Sequence, residues 1–138
     1  MLIVAAALDF ALAALHVAVI GIGAPAYRFL RAGETIARAA ETGARWPARM
    51  TAAISALLAL WGASALSVAG VLPHVPLARK VVGMIAVVYI SRGLALFPQL
   101  AGQQVGTDGH PVEPKDLAFS ATSLAAGLAH AAGLWTKR

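Results

Sequence analysis

The sequence predicts an all-α integral membrane protein, a single domain over residues 1–138 built as a bundle of four transmembrane helices. Three observations predict it. Apolar residues make up 59% of the 138 and charged residues 12%, where soluble domains carry roughly 45–50% and about 25%. Four stretches reach the length of about 20 residues that a bilayer crossing needs. They are continuous apolar runs without the alternation of barrel strands, and the thirty-three alanines favour helix.

The first span covers about residues 2–22. Asp9 is its only charge and His16 its only other strongly polar residue. Gly23 and Pro25 stop it. Ala24-Pro25-Ala26 mimics a small-residue cleavage site, but no basic residue precedes the apolar run and Asp9 interrupts it. The first span is therefore expected to stay on the protein and not to be a cleaved signal. Tyr27 to Arg49 reads as a short amphipathic segment between helices one and two. It sets Phe29, Leu30, Ile36 and Ala37 against Arg31, Glu34, Arg38, Glu41 and Arg45. It is expected in the interfacial plane, with Trp46 as an anchor before Pro47.

The second span, about 50–72, has no charge. Pro73 and Pro76 frame a tight turn. The third, about 79–99, contains Tyr89 and Arg92. Gln99 to Lys115 is a polar loop with Gly102, Gly106, Gly109, Pro111 and Pro114. Asp116 is the expected N-cap of the fourth span, about 117–135, which contains His130. Trp135, Lys137 and Arg138 close the chain as interface residues.

The formal charge of +5 is read as attraction to anionic lipid headgroups, and nucleic acid is not expected as a partner. The basic residues flank apolar segments and do not form one face. With four spans, Arg79, Lys80, Lys137 and Arg138 share the side of the termini. Arg28, Arg31, Arg38, Arg45, Arg49 and Lys115 take the other, and this balance sets no orientation. The absence of cysteine excludes disulfide scaffolds, zinc ribbons and thiol redox chemistry. High hydrophobicity and low charge exclude disorder.

The candidate site is a set of polar groups inside the spans, because charges there are costly and face the bundle interior or water. The candidates for a ligand or proton pathway are Asp9, His16, Arg92 and His130. Asp9 and His16 are seven residues apart and share a helix face. At about 1.5 Å rise per residue, one layer groups Asp9, His130 and Ser64, and a second groups His16, Arg92, Ser120 and Ser123. The plainer alternatives are a snorkelling Arg92, an Asp9 near enough to a boundary to meet water, and histidines that only hydrogen-bond within the packing. On that register His16 and His130 differ in depth by about 13 Å, too far apart to share one haem iron. No HExxH or similar pair exists for zinc. No metal and no cofactor is expected. Ser123, Gly127 and Ala131, with Ala129 and Gly133, form small-xxx-small spacings that permit close helix contact.

Four spans with an acidic residue in the first resemble the small multidrug resistance exporters, which dimerise around such a carboxylate. The resemblance covers helix count and Asp9. The acidic residue here is Asp and not Glu, and the connections are longer. It implies a proton site at Asp9 and a second copy as partner. The general build also resembles four-span bacterial membrane proteins, which implies a multi-pass protein of the inner membrane.

Three functions follow as expectations. The first is a non-enzymatic subunit or scaffold, with the lipid bilayer and a second copy or another membrane protein as partners. The second is a small proton-coupled transporter using Asp9. The third is a membrane enzyme, or binder of a lipid-soluble ligand, using Asp9, His16, Arg92 and His130, since histidine suits proton transfer near neutral pH. No nucleotide loop, nucleophile elbow or catalytic serine motif is present.

Overall fold

The computed structural model describes residues 1–103 and 111–136. Gly106, Asp108, Gly109 and His110 of the expected polar loop, and Lys137 and Arg138, lie outside the described residues. Among the described residues 79% are helical and no strand occurs. The elements are α1 (Leu2–Ile22), α2 (Ala24–Phe29), α3 (Glu34–Glu41), α4 (Trp46–Ala69), α5 (Ala78–Gly93), α6 (Leu96–Leu100) and α7 (Pro114–Trp135). Four helical segments are long and apolar enough to cross a membrane: α1, α4, α5 with α6, and α7.

Proline and glycine set the boundaries, in ways that shift several expected ones. Gly23, at φ 80°, ends α1. Pro25 then sits in the first turn of α2, where the N–H it lacks has no intrahelical partner to lose. Pro47 does the same in α4 and Pro114 in α7. These two helices therefore start at Trp46 and Pro114, ahead of the expected Met50 and Leu117. Asp116 is not the N-cap of α7. Glu113 holds that position, and Asp116, three residues on, accepts the Glu113 N–H through Oδ2 at 2.8 Å. The third span breaks between α5 and α6. Pro98 cannot donate to the Leu94 carbonyl and its ring crowds that oxygen. The Phe97 N–H takes the Leu94 carbonyl instead, at 3.2 Å.

The expected amphipathic segment is two short helices and not one. The chain turns between them at Arg31, φ 53°, and Gly33, φ 107°. α3 keeps the predicted polarity, with Ala37 buried and Glu34, Arg38 and Glu41 exposed, but Phe29 faces outward.

Contacts divide the chain into two compact units, Ala7–Gly62, and Met1–Ala6 with Ala63–Arg138. In the first, Val19, Ala26, Tyr27 and Ala37 form a buried cluster, with Leu30, Ile36 and Ala40 packed on it. Thr51 gives its only hydroxyl proton to the Pro47 carbonyl at 2.9 Å, so Tyr27 must donate to Thr51 Oγ1 at 3.0 Å. Ser55 Oγ donates to the Ala13 carbonyl at 2.9 Å and ties α4 to α1. Arg28 of α2 forks onto two α3 carboxylates. Nε and Nη2 reach Glu34 at 3.1 and 3.0 Å, and Nη2 reaches Glu41 Oε2 at 2.9 Å.

In the second unit α5 lies directly on α7, and glycine is the reason. A Cβ on Gly93 would stand 2.5 Å from the backbone N and Cα of Leu124. One on Gly127 would stand 2.7 Å from the Ile90 backbone N, and one on Gly133 would meet the Leu2 side chain at 2.5 Å. The small-residue spacing of α7 therefore serves contacts inside the chain. Leu2, Ala6, Ala65 and Val82 form the adjoining core. Ser67 stabilises the turn after α4 by donating to the Pro73 carbonyl at 2.8 Å and accepting the Val75 N–H at 2.9 Å.

Large apolar side chains face outward on every long helix. Val17, Leu60, Met84, Val87 and Leu128 are each 54–69% exposed, and only 28–33% of the residues in each candidate span are buried.

Two predictions follow from this packing. Gly93→Ala lowers stability by about 1–3 kcal/mol through overpacking. Gly83→Ala, whose Cβ would meet only Leu134 Cδ1 at 3.8 Å, does not, and denaturant titration of the two purified variants in detergent checks the difference. The second concerns pH. Hydrogen bonds from Arg28 and then Arg38 hold Glu34 down to about 2 from an ordinary 4.5, and Arg28 lowers Glu41. Lowered carboxyl values place the α2–α3 contribution fully above the ordinary carboxylate range, and it is lost as pH falls toward about 2. Carboxyl NMR titration gives Glu34 and Glu41 midpoints below 4.5, and Arg28→Gln returns both toward it.

Candidate functional site

The buried titratable groups occupy stripes that the helix period defines. On α1 the buried positions are Leu2, Ala5, Ala6, Asp9, Ala13 and Val19, and with half-buried His16 between the last two they follow the three- and four-residue steps of one helix face. Asp9 is wholly buried. Alanines one turn to either side give its carboxyl room and offer no side-chain hydrogen bond of their own, yet the carboxyl is partnered. His16 continues that face and is half-buried. Its Nδ1 lies 2.8 Å from the Leu12 carbonyl oxygen. A carbonyl only accepts, so Nδ1 carries the proton, and Nε2 is the basic nitrogen of the neutral ring.

His130 on α7 repeats this arrangement. Its Nδ1–H donates to the Ala126 carbonyl at 2.8 Å. The ring is completely buried and lies against Tyr89 of α5, with centroids 5.7 Å apart and planes inclined by 31°. Such offset aromatic contacts add about 0.5–1.5 kcal/mol beyond the area they bury. Gly127 and Gly133 bracket His130 by one turn on either side. The close approach to α5 that Gly127 allows brings Tyr89 within reach of the imidazole.

Asp9 and His16 thus share one face of α1, and His130 pairs with Tyr89 in the other unit. Arg92 is exposed, in the last turn of α5, where a cation also favours the helix C-terminal dipole. It does not supply the inward guanidinium of the expected second layer. Ser120 and Ser123 are buried, but Ser123 Oγ donates to the Phe119 carbonyl of its own helix at 2.9 Å. Sequence reasoning passed over Tyr89. The α5 spacing Ala78, Val82, Ile85, Tyr89 was the available signal, and it also points to the side on which Tyr89 is buried. It also passed over the hydroxyl pair of Tyr27 and Thr51, 24 residues apart.

Carboxyl and imidazole are the side chains that general acid–base chemistry uses, and here one of each is buried. Among the described residues no group of three His, Asp or Glu side chains is arranged to hold a metal ion. Comparison of the chain with protein-family models, curated proteins and solved structures finds no match.

Proposed function

We propose that the chain is a four-pass integral protein of a bacterial inner membrane, acting as a non-enzymatic subunit or scaffold. One observation carries the reading. All four long helices expose bulky apolar side chains, and most of the positions they bury, on α4 and α7 above all, are alanine, glycine, serine or threonine. In water that distribution leaves an apolar surface far beyond the few hundred Å² that soluble monomers tolerate. In lipid it is the expected one, since small residues let helices approach and bulky ones meet acyl chains. The interior supports packing over turnover. Both intramembrane histidines give Nδ1–H to the carbonyl four residues back, and glycines seat α7 against α5 and Leu2. The partners on this reading are the bilayer and a second copy or another membrane protein.

The complete burial of Asp9 favours a second reading, a proton-coupled carrier in which that carboxyl is loaded and unloaded. A buried ionisable group in a span is a functional candidate by default.

One preparation tests both. The untagged protein is expected to remain in the membrane pellet after an alkaline wash, and its release into the supernatant overturns the membrane assignment. In vesicles with an imposed pH gradient, wild type and Asp9→Asn are expected to leak protons no faster than empty vesicles, while Asp9→Asn lowers the yield of folded protein. Proton flux from wild type that Asp9→Asn abolishes replaces the scaffold reading with the carrier.

A further inference from the structure

A groove of about 410 Å³ runs along the outer side of the α5–α7 contact, within the volume range of small-molecule sites. On α5 its lining runs from Arg79 through Gly83 and Ala86 to Ile90, and on α7 it includes Leu134 and Trp135. The hollow has a sequence cause. Gly83 has no side chain, and the nearest atom to a Cβ built there is Leu134 Cδ1 at 3.8 Å.

We propose that this groove holds one anionic phospholipid, with an acyl chain along its length and the phosphate at Arg79. The proposal rests on the membrane reading above and adds a specific ligand to it. Length, charge and depth each argue for that occupant. Arg79 to Ile90 is eleven residues, about 16 Å along the helix, and one leaflet of hydrocarbon is about 15 Å, half the bilayer core. Arg79 and Lys80 are exposed side by side in the first turn of α5, and none of the lining residues is acidic. Arg79 Nη2 donates to the Leu134 carbonyl at 2.9 Å, which fixes the guanidinium at the groove end. Trp135 is exposed at that same end, and an aromatic beside basic residues marks headgroup depth. A neutral lipid fits the apolar length but gains nothing from the cations.

Trp135 is the reporter. In a Trp46→Phe, Trp61→Phe background it is the one tryptophan left of three. The protein is placed in phosphatidylcholine vesicles containing either brominated phosphatidylglycerol or brominated phosphatidylcholine, whose bromines quench a tryptophan they touch. The anionic lipid is expected to quench half-maximally at an about fivefold lower mole fraction, the ratio for one basic residue near an anionic headgroup. Arg79→Gln is expected to bring the two lipids together. Gly83→Leu fills the groove, and quenching by the anionic lipid is expected to fall to the level given by the neutral one, with helicity unchanged. Met84→Leu, on the exposed face of α5, is expected to leave the preference intact. Equal quenching by both lipids in wild type overturns the proposal, as does a preference that survives Gly83→Leu. A dimer that Gly83→Leu converts to monomer, with no lipid preference in wild type, assigns the groove to a second copy and also overturns it. Failure of the protein to enter vesicles, with no quenching by either lipid, overturns the membrane reading itself.

Discussion

The contact of α5 with α7 depends on two positions having no side chain at all. At Gly93 the space a Cβ would need belongs to the backbone of Leu124, and at Gly127 it belongs to the backbone of Ile90. This constraint follows from the composition. Apolar side chains dominate both the inside and the outside of the chain, so the hydrophobic effect cannot sort one from the other. Size can. Helices joined by small residues approach closely and gain dispersion contacts along their length, while many of the leucines, valines and methionines are left to the exterior. The His130–Tyr89 contact and the groove beside Gly83 are both consequences of that close approach.

Several polar groups of this interior have an acceptor or donor in reach. Ser55 bonds the Ala13 carbonyl, Thr51 the Pro47 carbonyl and Tyr27 the Thr51 hydroxyl, while His16 and His130 bond carbonyls of their own helices. In lipid an interhelical hydrogen bond contributes only about 0.6 kcal/mol on average, because the unfolded helices also find partners there. These bonds therefore act less as glue than as a selection rule for orientation. Asp9 is partnered as well, and it is an ionisable group that is wholly buried. A carboxyl on an alanine stripe adds no packing that alanine would not give, which is what sets it apart as a functional candidate.

The four long apolar helices were legible because length and the near absence of charge report them directly. Much of the punctuation was legible as well: Gly23 ends α1, and Pro73 and Pro76 lie in the turn between α4 and α5. Pro47 and Pro114 were harder, since proline both stops a helix and starts one, and only the observed helix start shows which. Asp116 satisfies an N-cap pattern and an N3 pattern alike until the chain direction at Glu113 is known. The faces of the helices were the least legible feature. An alanine-rich helix that is apolar all round gives no amphipathic signal, so the inward side of α5 was hidden, with Tyr89 turned in and Arg92 out. The spacing of Ser123, Gly127 and Ala131 was visible, but the sequence did not tell contact within the chain from contact with a second copy.

The central claim is that hydrocarbon covers the outward faces of the four long helices. The chain contains no cysteine, so a single introduced one carries an unambiguous label. Spin labels at Val17, Leu60, Met84 and Leu128, each replaced by cysteine in turn, measure collision with oxygen, which concentrates in hydrocarbon, against collision with a water-soluble nickel chelate. The account predicts that oxygen dominates at all four positions of the vesicle-reconstituted protein. Nickel dominating at these positions would contradict it.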